Sequence, residues 1–338
     1  MRTPRRHAAR CGSRLRLTRL SAVAVAATVG LVLGSVSLAY SPERASFALR
    51  VGSEEFPYRI ASVFLLPGEQ VTLEAKNAPL SARFEVSCDA DESAIAALER
   101  VAAQRWRWRA PRGAGLHVVT IARQDVPDSI RVNLFVLVPY ERLQEGRLND
   151  YRVGDYPIVA LRGLDIYKPP RGFIEVTSEN FDTWLSPHFR LSQFLSKQES
   201  AYPKYLVLRE KLLLKLELIL ETVNARGIAC ESFHVMSGYR TPYYNRAIGN
   251  VQYSRHVWGG AADIFIDEPP RDEMMDDLNA DGRSDFQDAA ILYDIIDDLY
   301  GQPFYAGLLG GLARYRKSAA HGPFVHVDVR GFHARWGD

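Results

Sequence analysis

The sequence predicts a protein of two folded parts, a small all-β sandwich of immunoglobulin type followed by a domain of helices and strands. Three observations lead to this expectation. Residues 47–140 alternate apolar and polar side chains in short runs separated by turn residues, which is the pattern of half-buried strands. Residues 204–226 carry leucines at helical spacing, which predicts a well-buried helix, and short apolar runs and glycine-rich loops follow them. An uncharged segment, residues 20–42, precedes both parts.

The composition is that of an ordinary globular protein. Of the 338 residues, 47% are hydrophobic and 24% are charged, which excludes a disordered, collagen-like or multi-span chain. The 42 Lys and Arg residues nearly balance the 40 Asp and Glu residues, so we expect no nucleic-acid partner. Three cysteines are too few for a disulfide scaffold. Cys88 and Cys230 fall in different predicted parts, and the sequence leaves open whether they pair or are two buried thiols.

The N-terminal segment predicts export from the cytoplasm. Residues 1–19 contain seven arginines and no acidic residue, and residues 20–42 contain no charged residue. A basic segment followed by an apolar run is typical of a secretory signal, and the run also reaches the roughly 20 residues that span a bilayer. Because the basic side stays inside, we expect the folded parts in the periplasm or cell envelope. The length of the run favours a retained helix that anchors the protein in the inner membrane; a cleaved signal peptide would make the protein secreted.

Turn residues and composition divide the exported chain into three segments. Residues 47–140 form the predicted β-sandwich, in which Trp106 and Trp108 offer either a glycan-stacking surface or one core indole and one partly exposed indole. Residues 141–185, with their prolines and glycines, are predicted to be a linker that packs in part on its neighbours. Residues 186–338 form the second domain, and the chemistry-bearing side chains concentrate there.

Three side chains of the second domain have the chemistry of a zinc site. His256, Asp263 and His326 supply two imidazoles and a carboxylate, and a catalytic zinc site uses three such ligands with a fourth position open for water. No cysteine is needed, which suits an oxidising compartment. A His and an Asp seven residues apart are a weak signal by themselves, and the residues around them make the pattern specific.

The surrounding residues form motifs that resemble those of the M15 peptidases, the D-Ala-D-Ala carboxypeptidases and their murein-endopeptidase relatives. The sequence SRHVWGGAAD at residues 254–263 resembles the first metal motif of that family. The sequence SGYRTP at residues 237–242 resembles the strand-end motif that precedes it. The sequence FVHVD at residues 324–328, with RW at residues 335–336, resembles the closing motif of the cell-wall branch related to the YcbK-type proteins. The resemblance covers about residues 185–338.

The resemblance implies a fold, a metal and three kinds of functional residue. The fold of the family is a small α+β domain, an antiparallel sheet flanked by helices, with a zinc at the edge of the sheet. The resemblance implies that His256, Asp263 and His326 bind this zinc. It also implies that Arg240 stabilises the negative charge of the tetrahedral intermediate. The substrate contacts that it implies are Ser237, Tyr239 and Ser254.

The general base is the point at which the chain departs from the family pattern. Carboxypeptidases of this family place Glu three residues before the last histidine ligand, where this chain has Pro323. Other relatives place His two residues before it, where this chain has Phe324. Asp328 and His321 are the remaining candidates. Asp328 shares a strand face with His326, so it can either accept the proton of the attacking water or orient the ligand.

A second metal site is predicted in the loop DLNADGRSDFQD, residues 277–288. Its oxygen-bearing side chains and its glycine fall at the positions of an EF-hand calcium loop, and aspartate at the last position resembles the dockerin type. The calcium would be structural and would clamp an insertion between the two zinc motifs. The alternative is an acidic, solvated surface turn. The predicted calcium ligands are Asp277, Asn279, Asp281, the carbonyl of Arg283, Asp285 and Asp288.

The function that the resemblance implies is hydrolysis of peptide bonds in peptidoglycan. A zinc-dependent peptidase of this family acts on peptidoglycan stem peptides or cross-links, as a murein endopeptidase or a D,D-carboxypeptidase. The closing motif at residues 324–328 favours the endopeptidase. The predicted partners are peptidoglycan and, through an uncleaved N-terminal segment, the membrane. The alternative is a non-catalytic peptidoglycan-binding or scaffold protein of the envelope, whose β domain docks a partner.

Overall fold

The structure is a computed structural model that describes residues 40–88 and 97–337. These residues belong to one compact unit. The predicted basic segment, residues 1–19, lies outside the described residues, as does all of the predicted signal or anchor segment before Tyr40. Among the described residues, no helix combines the length and the apolar character that crossing a bilayer requires.

Two β-sheets in the N-terminal part share one hydrophobic core, to which alternate residues of their strands contribute. In chain order the strands are β1 Arg44–Val51, β2 Glu54–Tyr58, β3 Ile60–Leu65, β4 Gln70–Lys76, β5 Phe84–Cys88, β6 Leu98–Ala102, β7 Arg105–Arg109, β8 Gly115–Arg123 and β9 Asp128–Val136. One sheet has the order β2-β1-β4-β7-β6 and the other has the order β3-β9-β8-β5. Strands β3 and β9 run parallel. The immunoglobulin type of this two-sheet part stays a prediction.

Trp106 and Trp108 on β7 lie inside this core, with exposed fractions of 2% and 0%. The prediction of one partly exposed indole is therefore wrong, and the alternative of a glycan-stacking surface is wrong as well. Residues i and i+2 of a strand share a face, so both indoles point inward while the arginines of β7 point outward. Phe84 from the other sheet packs edge-on against Trp106, with 5.9 Å between the ring centroids.

The segment predicted to be a linker packs into the core of the C-terminal part. Its central strand, β13 (Gly172–Val176), pairs on both sides, and Phe173 on this strand is fully buried. The other short strands of this region are β10 Val138–Pro139, β11 Arg147–Leu148, β12 Tyr151–Arg152, β14 Trp184–Ser186, β15 Phe189–Arg190 and β16 Lys204–Leu206. They form a three-stranded sheet of order β10-β13-β16 and the two-stranded pairs β11-β12 and β14-β15.

The long helix begins later than the sequence predicts. Helix α1 spans Glu210–Ala225, whereas residues 204–226 were expected to be helical. The first residues of the predicted helix form β16 instead, because their backbone hydrogen bonds go to β13. Pairing with a neighbouring strand here outweighs the helical propensity of the leucines. The apolar face of α1 is buried, as predicted, through Leu212, Leu213, Leu216, Ile219, Leu220 and Val223.

A five-stranded sheet forms the centre of the C-terminal part. Its strands are β17 His234–Ser237, β18 Ala261–Phe265, β19 Gly311–Tyr315, β20 Phe324–Asp328 and β21 Ala334–Trp336. The order is β17-β18-β20-β19-β21, and all pairs are antiparallel except β19 with β21. Besides α1, the described residues form two further α-helices, α2 Pro242–Ala247 and α3 Phe286–Asp297. This mixture of sheets and a few helices fits the α+β domain that the resemblance implies.

Polar contacts join the N-terminal sheets to the C-terminal part. Ser62 Oγ donates to the carbonyl of Leu185, and Asn133 Nδ2 donates to the carbonyl of Trp184, both at 2.7 Å. The backbone N–H of Phe64 donates to Glu210 Oε1 at 3.1 Å. Ser62 and Asn133 are buried, so these hydrogen bonds are shielded from water and stronger than exposed ones.

Candidate metal centre

Two paired strands and a short helical turn bring three side chains together. Asp263 lies in the middle of β18 and His326 in the middle of β20, and the antiparallel register pairs these residues directly. Directly opposed residues project from the same face of a sheet with their Cβ atoms roughly 5 Å apart. His256 approaches from the 3-10 helix Arg255–Trp258, which ends at Gly259 in a left-handed conformation (φ 61°). A side chain at Gly259 would collide with the backbone that precedes α1, so the close approach requires glycine.

The ligand atoms of these three residues converge on one point. His256 Nε2 lies 3.2 Å from Asp263 Oδ1 and 3.2 Å from His326 Nδ1, and His326 Nδ1 lies 2.8 Å from Asp263 Oδ1. A tetrahedral zinc with bonds of about 2.0–2.1 Å holds its ligand atoms about 3.3 Å apart, so the observed spacing fits such an ion. In the part of the chain that the structure describes, this is the one group of three or more His, Cys, Asp or Glu residues whose ligand atoms lie within 4.8 Å of one another.

Both imidazoles are oriented by hydrogen bonds on the side away from this point. His256 Nδ1 donates to the carbonyl of Gly238 at 2.7 Å, and His326 Nε2 donates to Asp328 Oδ2 at 3.3 Å. A neutral imidazole that donates through one nitrogen leaves the lone pair of the other nitrogen free for a metal. The three residues therefore fit zinc in the orientation of their rings as well as in their chemistry.

The pKa shifts of His256, Asp263 and His326 show that the carboxylates beside the point of convergence stabilise a positive charge there. Burial lowers the pKa of His256, which keeps that imidazole neutral. Burial also acts to raise the pKa of Asp263, but the two histidines outweigh it and hold this pKa well below its usual range. Burial acts to lower the pKa of His326, yet hydrogen bonds to Asp263 and Asp328 raise it. Two carboxylates thus stabilise a cation at this site, whether a proton or a metal carries the charge.

The three candidate ligands His256, Asp263 and His326 are called the metal group below. Arg240 lies beside this group, and two neighbouring side chains hold it in place. Its Nη2 donates to Asp263 Oδ2 at 2.5 Å, and its Nε donates to Ser237 Oγ at 2.7 Å. Its Nη1 makes no hydrogen bond to a described residue, and the side chain lines the same cleft as the metal group. A guanidinium fixed in this way can offer its remaining N–H groups to a negative charge that develops next to the metal.

The metal group lies in a cleft of ≈ 870 Å³. Two predicted substrate contacts, Ser237 and Ser254, line this cleft. The structure does not bring Tyr239, the third predicted substrate contact, to the cleft: its side chain is 1% exposed, and its hydroxyl bonds to the hydroxyl of Tyr156 at 2.9 Å. Strand β17 ends at Ser237, so the alternation of faces that would bring Tyr239 to the cleft does not extend to it.

Asp328 is buried behind His326, away from the cleft. Its carboxylate accepts hydrogen bonds from His326 Nε2, from the N–H of Gly311 at 2.8 Å and from Arg330 Nε at 2.9 Å. Burial acts to raise the pKa of Asp328, but His326 and Arg330 outweigh it and hold this pKa far below its usual range. A carboxylate with these partners is a poor proton acceptor. Of the two alternatives that the sequence left open, the geometry favours the orientation of His326.

His321, the second candidate base, lines the cleft from the loop that leads into β20. Its Nδ1 lies 2.8 Å from the carbonyl of Gly322, so Nδ1 is the donor and Nε2 is left as a proton acceptor. Its ring packs edge-on against Phe324, with 4.9 Å between the centroids. The structure therefore places a histidine with a free ring nitrogen at the cleft that contains the metal group.

Sequence reasoning missed part of the cleft wall. Trp336 lies 5.1 Å from His326, measured between ring centroids, and its Nε1 donates to the hydroxyl of Tyr315 at 2.6 Å. The RW pair at residues 335–336 was part of a motif, but no role was assigned to the indole. Tyr315 and Lys197 also line the cleft, and no local pattern in the sequence distinguishes either residue.

The predicted calcium loop forms a turn that leads into α3. Its carboxylates bind the backbone of the loop itself: Asp277 accepts from two N–H groups, the buried Asp288 accepts from three, and Asp285 caps α3. The loop oxygens do not form a second group of the kind that His256, Asp263 and His326 make. The structure adds no support for calcium, which stays a prediction beside the acidic surface turn. The exposed residues among the predicted calcium ligands are Asp277, Asn279, Asp281 and Arg283.

Comparison with known families agrees with the chemistry of this site. Residues 188–291 match the family model described as Peptidase M15. The matched segment contains Arg240, His256 and Asp263, and it ends before His321 and His326. The M15 peptidases are zinc enzymes, so the match and the metal group together support a peptidase with a metal centre. The YcbK-type branch stays a prediction, and a comparison with curated proteins gave no match.

Proposed function

We propose that this protein is a zinc-dependent peptidase that hydrolyses peptide bonds of peptidoglycan stem peptides or cross-links. The observation that carries the proposal is the convergence of three ligand atoms in a cleft, with two of the three ligands inside the segment that matches the M15 peptidases. Zinc held by His256, Asp263 and His326 would supply a Lewis acid for the scissile carbonyl and an acidified water. The other tasks fall to side chains of this protein.

Arg240 and Asp328 prepare the site for the transition state. Arg240 stabilises the oxyanion of the tetrahedral intermediate, because its guanidinium is fixed by Ser237 and Asp263 before the substrate arrives. Asp328 holds His326 in the orientation that directs Nδ1 at the metal position. These two contributions cost no reorganisation during the reaction, since the hydrogen bonds that fix both side chains already exist.

His321 is the general base of the proposed mechanism. A base must lie at the cleft and carry a free acceptor, and His321 Nε2 meets both conditions. Asp328 meets neither, since it is buried and accepts hydrogen bonds from three neighbouring residues. Asp263, the one carboxylate among the described residues that line the cleft, is a proposed metal ligand. His321 would take a proton from the attacking water and return it to the leaving amine.

We expect His321→Ala to lower kcat by roughly 10²- to 10⁴-fold, the usual contribution of a general base. The zinc content should equal that of the wild-type protein, because His321 is outside the metal group. Added imidazole should restore part of the activity, which distinguishes a lost base from a lost fold. A kcat within threefold of wild type would eliminate His321 as the base.

The cell envelope is the proposed location, and cross-link cleavage is the proposed form of the activity. The apolar segment at residues 20–42 would anchor the enzyme in the inner membrane or direct its export. Anchoring would leave the cleft outside the cytoplasm, on the side of the membrane where peptidoglycan lies. The endopeptidase is preferred to the carboxypeptidase on the closing motif at residues 324–328 alone.

Digestion of purified sacculi by the full chain tests this function. We expect cross-linked muropeptides to decrease and their monomers to increase, when the products are separated by chromatography. A zinc chelator should stop the reaction, and added zinc should restore it. Zinc-loaded protein that binds sacculi and changes no muropeptide class would instead support the non-catalytic scaffold.

A further inference from the structure

The cleft that contains the metal group has an excess of positive charge. Four cationic side chains and one carboxylate, that of Asp263, line it, which gives a formal balance of +3 with the histidines neutral. A cleft with one sign of charge and low-dielectric walls concentrates ligands of the opposite sign. The four cations are Lys197, Arg240, Arg255 and Arg330.

Two of the four cations are neutralised by carboxylates of the protein. Arg240 donates to Asp263 at 2.5 Å. Arg330 donates through Nε and Nη2 to Asp328, a carboxylate that lies behind the cleft. The uncompensated charge therefore belongs to the remaining pair, one buried arginine and one exposed lysine.

Arg255 is the buried cation without an anionic partner. Its side chain is 2% exposed, and Nη1 donates to the carbonyl of Ile166, but Nε and Nη2 have no acceptor among the described residues. A second guanidinium, that of Arg209, also packs against Gly260, and the Arg255 guanidinium lies over the ring of Tyr167, 5.0 Å from its centroid. An arginine keeps its charge at neutral pH even when it is buried, so Arg255 is a cation here. A charge in a low-dielectric interior is weakly screened, so Arg255 adds positive potential to the cleft.

Lys197 is the exposed cation at the same cleft. It makes no ion pair with a described residue, and its four-carbon stem gives the ammonium reach and freedom of orientation. An ammonium of this kind can bind an anion directly, whereas the unpaired nitrogens of Arg255 are buried and act through their field. The two residues therefore have different roles in one electropositive site.

We propose that this cleft contains a subsite for a carboxylate of the substrate, which Lys197 binds and the charge of Arg255 attracts. The proposal rests on the proposed peptidase function and adds the class of substrate to it. A stem peptide bears carboxylates on its acidic residues and at its free end. The enzyme therefore cleaves stem peptides whose carboxylates are free and discriminates against stem peptides whose carboxylates are amidated.

The experiment compares two forms of one synthetic stem peptide, with its carboxylates free or amidated, as substrates of the full chain. We expect kcat/KM to be about tenfold higher for the free acid, as a charge-assisted contact would give, and we expect the ratio to fall as salt is added. Lys197→Met should reduce the ratio about fivefold through KM, with the amidated peptide unaffected. Lys204→Met is the matched control, because this lysine lies over the ring of Tyr202 and outside the cleft, and it should leave the ratio unchanged.

The outcomes separate this inference from the function on which it rests. Equal kcat/KM for the two peptides, or an unchanged ratio in Lys197→Met, would overturn the carboxylate subsite while the peptidase stands. If zinc-loaded protein cleaves neither peptide, the peptidase is contradicted, and calorimetric binding of the two peptides then tests the subsite. The carboxylate subsite is supported if the free acid binds more tightly than the amidated peptide and Lys197→Met abolishes this difference. Equal binding of the two peptides to the wild-type protein would overturn it.

Discussion

Replacing His256 by alanine is expected to abolish zinc binding and peptide hydrolysis together. The substitution removes one of three ligand atoms that lie 2.8 to 3.2 Å apart, and the remaining imidazole and carboxylate cannot complete a three-ligand site. A metal Lewis acid contributes several kcal/mol to the transition state, so turnover should fall by a factor on the order of 10³ or more. Elemental analysis of the purified variant and release of muropeptides from sacculi measure the two effects.

His234→Ala is the matched control for this experiment. His234 lies on β17 of the same sheet, but its ring stacks on Phe265 with 4.4 Å between centroids and is outside the metal group. The variant should keep its zinc and its turnover and lose only some packing. Hydrolysis by His256→Ala protein that contains no zinc would disprove the metal centre, and so would full zinc occupancy in this variant.

The second large effect is expected at Arg240, where Arg240→Met should lower kcat about 10²- to 10³-fold, the loss seen when one preorganised oxyanion donor is removed. The guanidinium is fixed by Ser237 and Asp263, and its Nη1 makes no hydrogen bond to a described residue. An interaction made only in the transition state lowers kcat and leaves KM nearly unchanged. Asp263, a proposed metal ligand, also loses a hydrogen bond in this variant. The steady-state kinetics are therefore measured at saturating zinc, so that a change in kcat reports the role of Arg240 and not a loss of metal.

Two further substitutions make the result at Arg240 specific. Arg240→Lys keeps the charge but replaces the two separate nitrogens that donate to Ser237 and Asp263 by a single ammonium, so an intermediate kcat is expected. Arg246→Met removes an exposed arginine from α2 and should change neither parameter. If Arg240→Met raises KM and leaves kcat unaltered, Arg240 binds the ground state and has no part in stabilising the intermediate.

The metal group could be predicted from the sequence because its residues stand in local motifs. His256 and Asp263 are seven residues apart, in a turn and the strand that follows it. His326 lies 63 residues beyond Asp263, and its position next to Asp263 depends on the pairing of β18 with β20. The family resemblance, rather than the spacing, supplied that pairing.

Other features were beyond reach because they depend on distant contacts. The sequence signals favoured a helix start near residue 204, but hydrogen bonds to β13, about 30 residues earlier in the chain, convert this segment into β16. Asp328 was expected on the same strand face as His326, and the structure adds that Arg330 and Gly311 occupy its carboxylate. No periodicity in the sequence shows which groups hydrogen-bond to the carboxylate of Asp328. The choice between a general base and a residue that orients His326 therefore needed the structure.

The excess positive charge of the cleft could not be predicted from the sequence either. Lys197 and Arg255 are ordinary residues in sequence, and their lack of carboxylate partners is a property of the folded surroundings. Arg255 even lies inside a recognised motif, between Ser254 and His256, where the pattern accepts any residue. Counting charges over the whole chain gives +2, which hides two cations in a single cleft that have no carboxylate partner among the described residues.

The hydrogen bonds between the N-terminal sheets and the C-terminal part bear on which fragment keeps the surroundings of the metal centre intact. A fragment that starts at residue 186 would lack Ser62, Asn133 and the Phe64 N–H, together with the carbonyl groups of residues 184 and 185 that the first two bind. Glu210, at the first residue of α1, would lose the hydrogen bond from the Phe64 backbone. Crystals, assays and inhibitor screens of the metal centre therefore call for a polypeptide that begins near Tyr40, with the sheets retained as part of the enzyme.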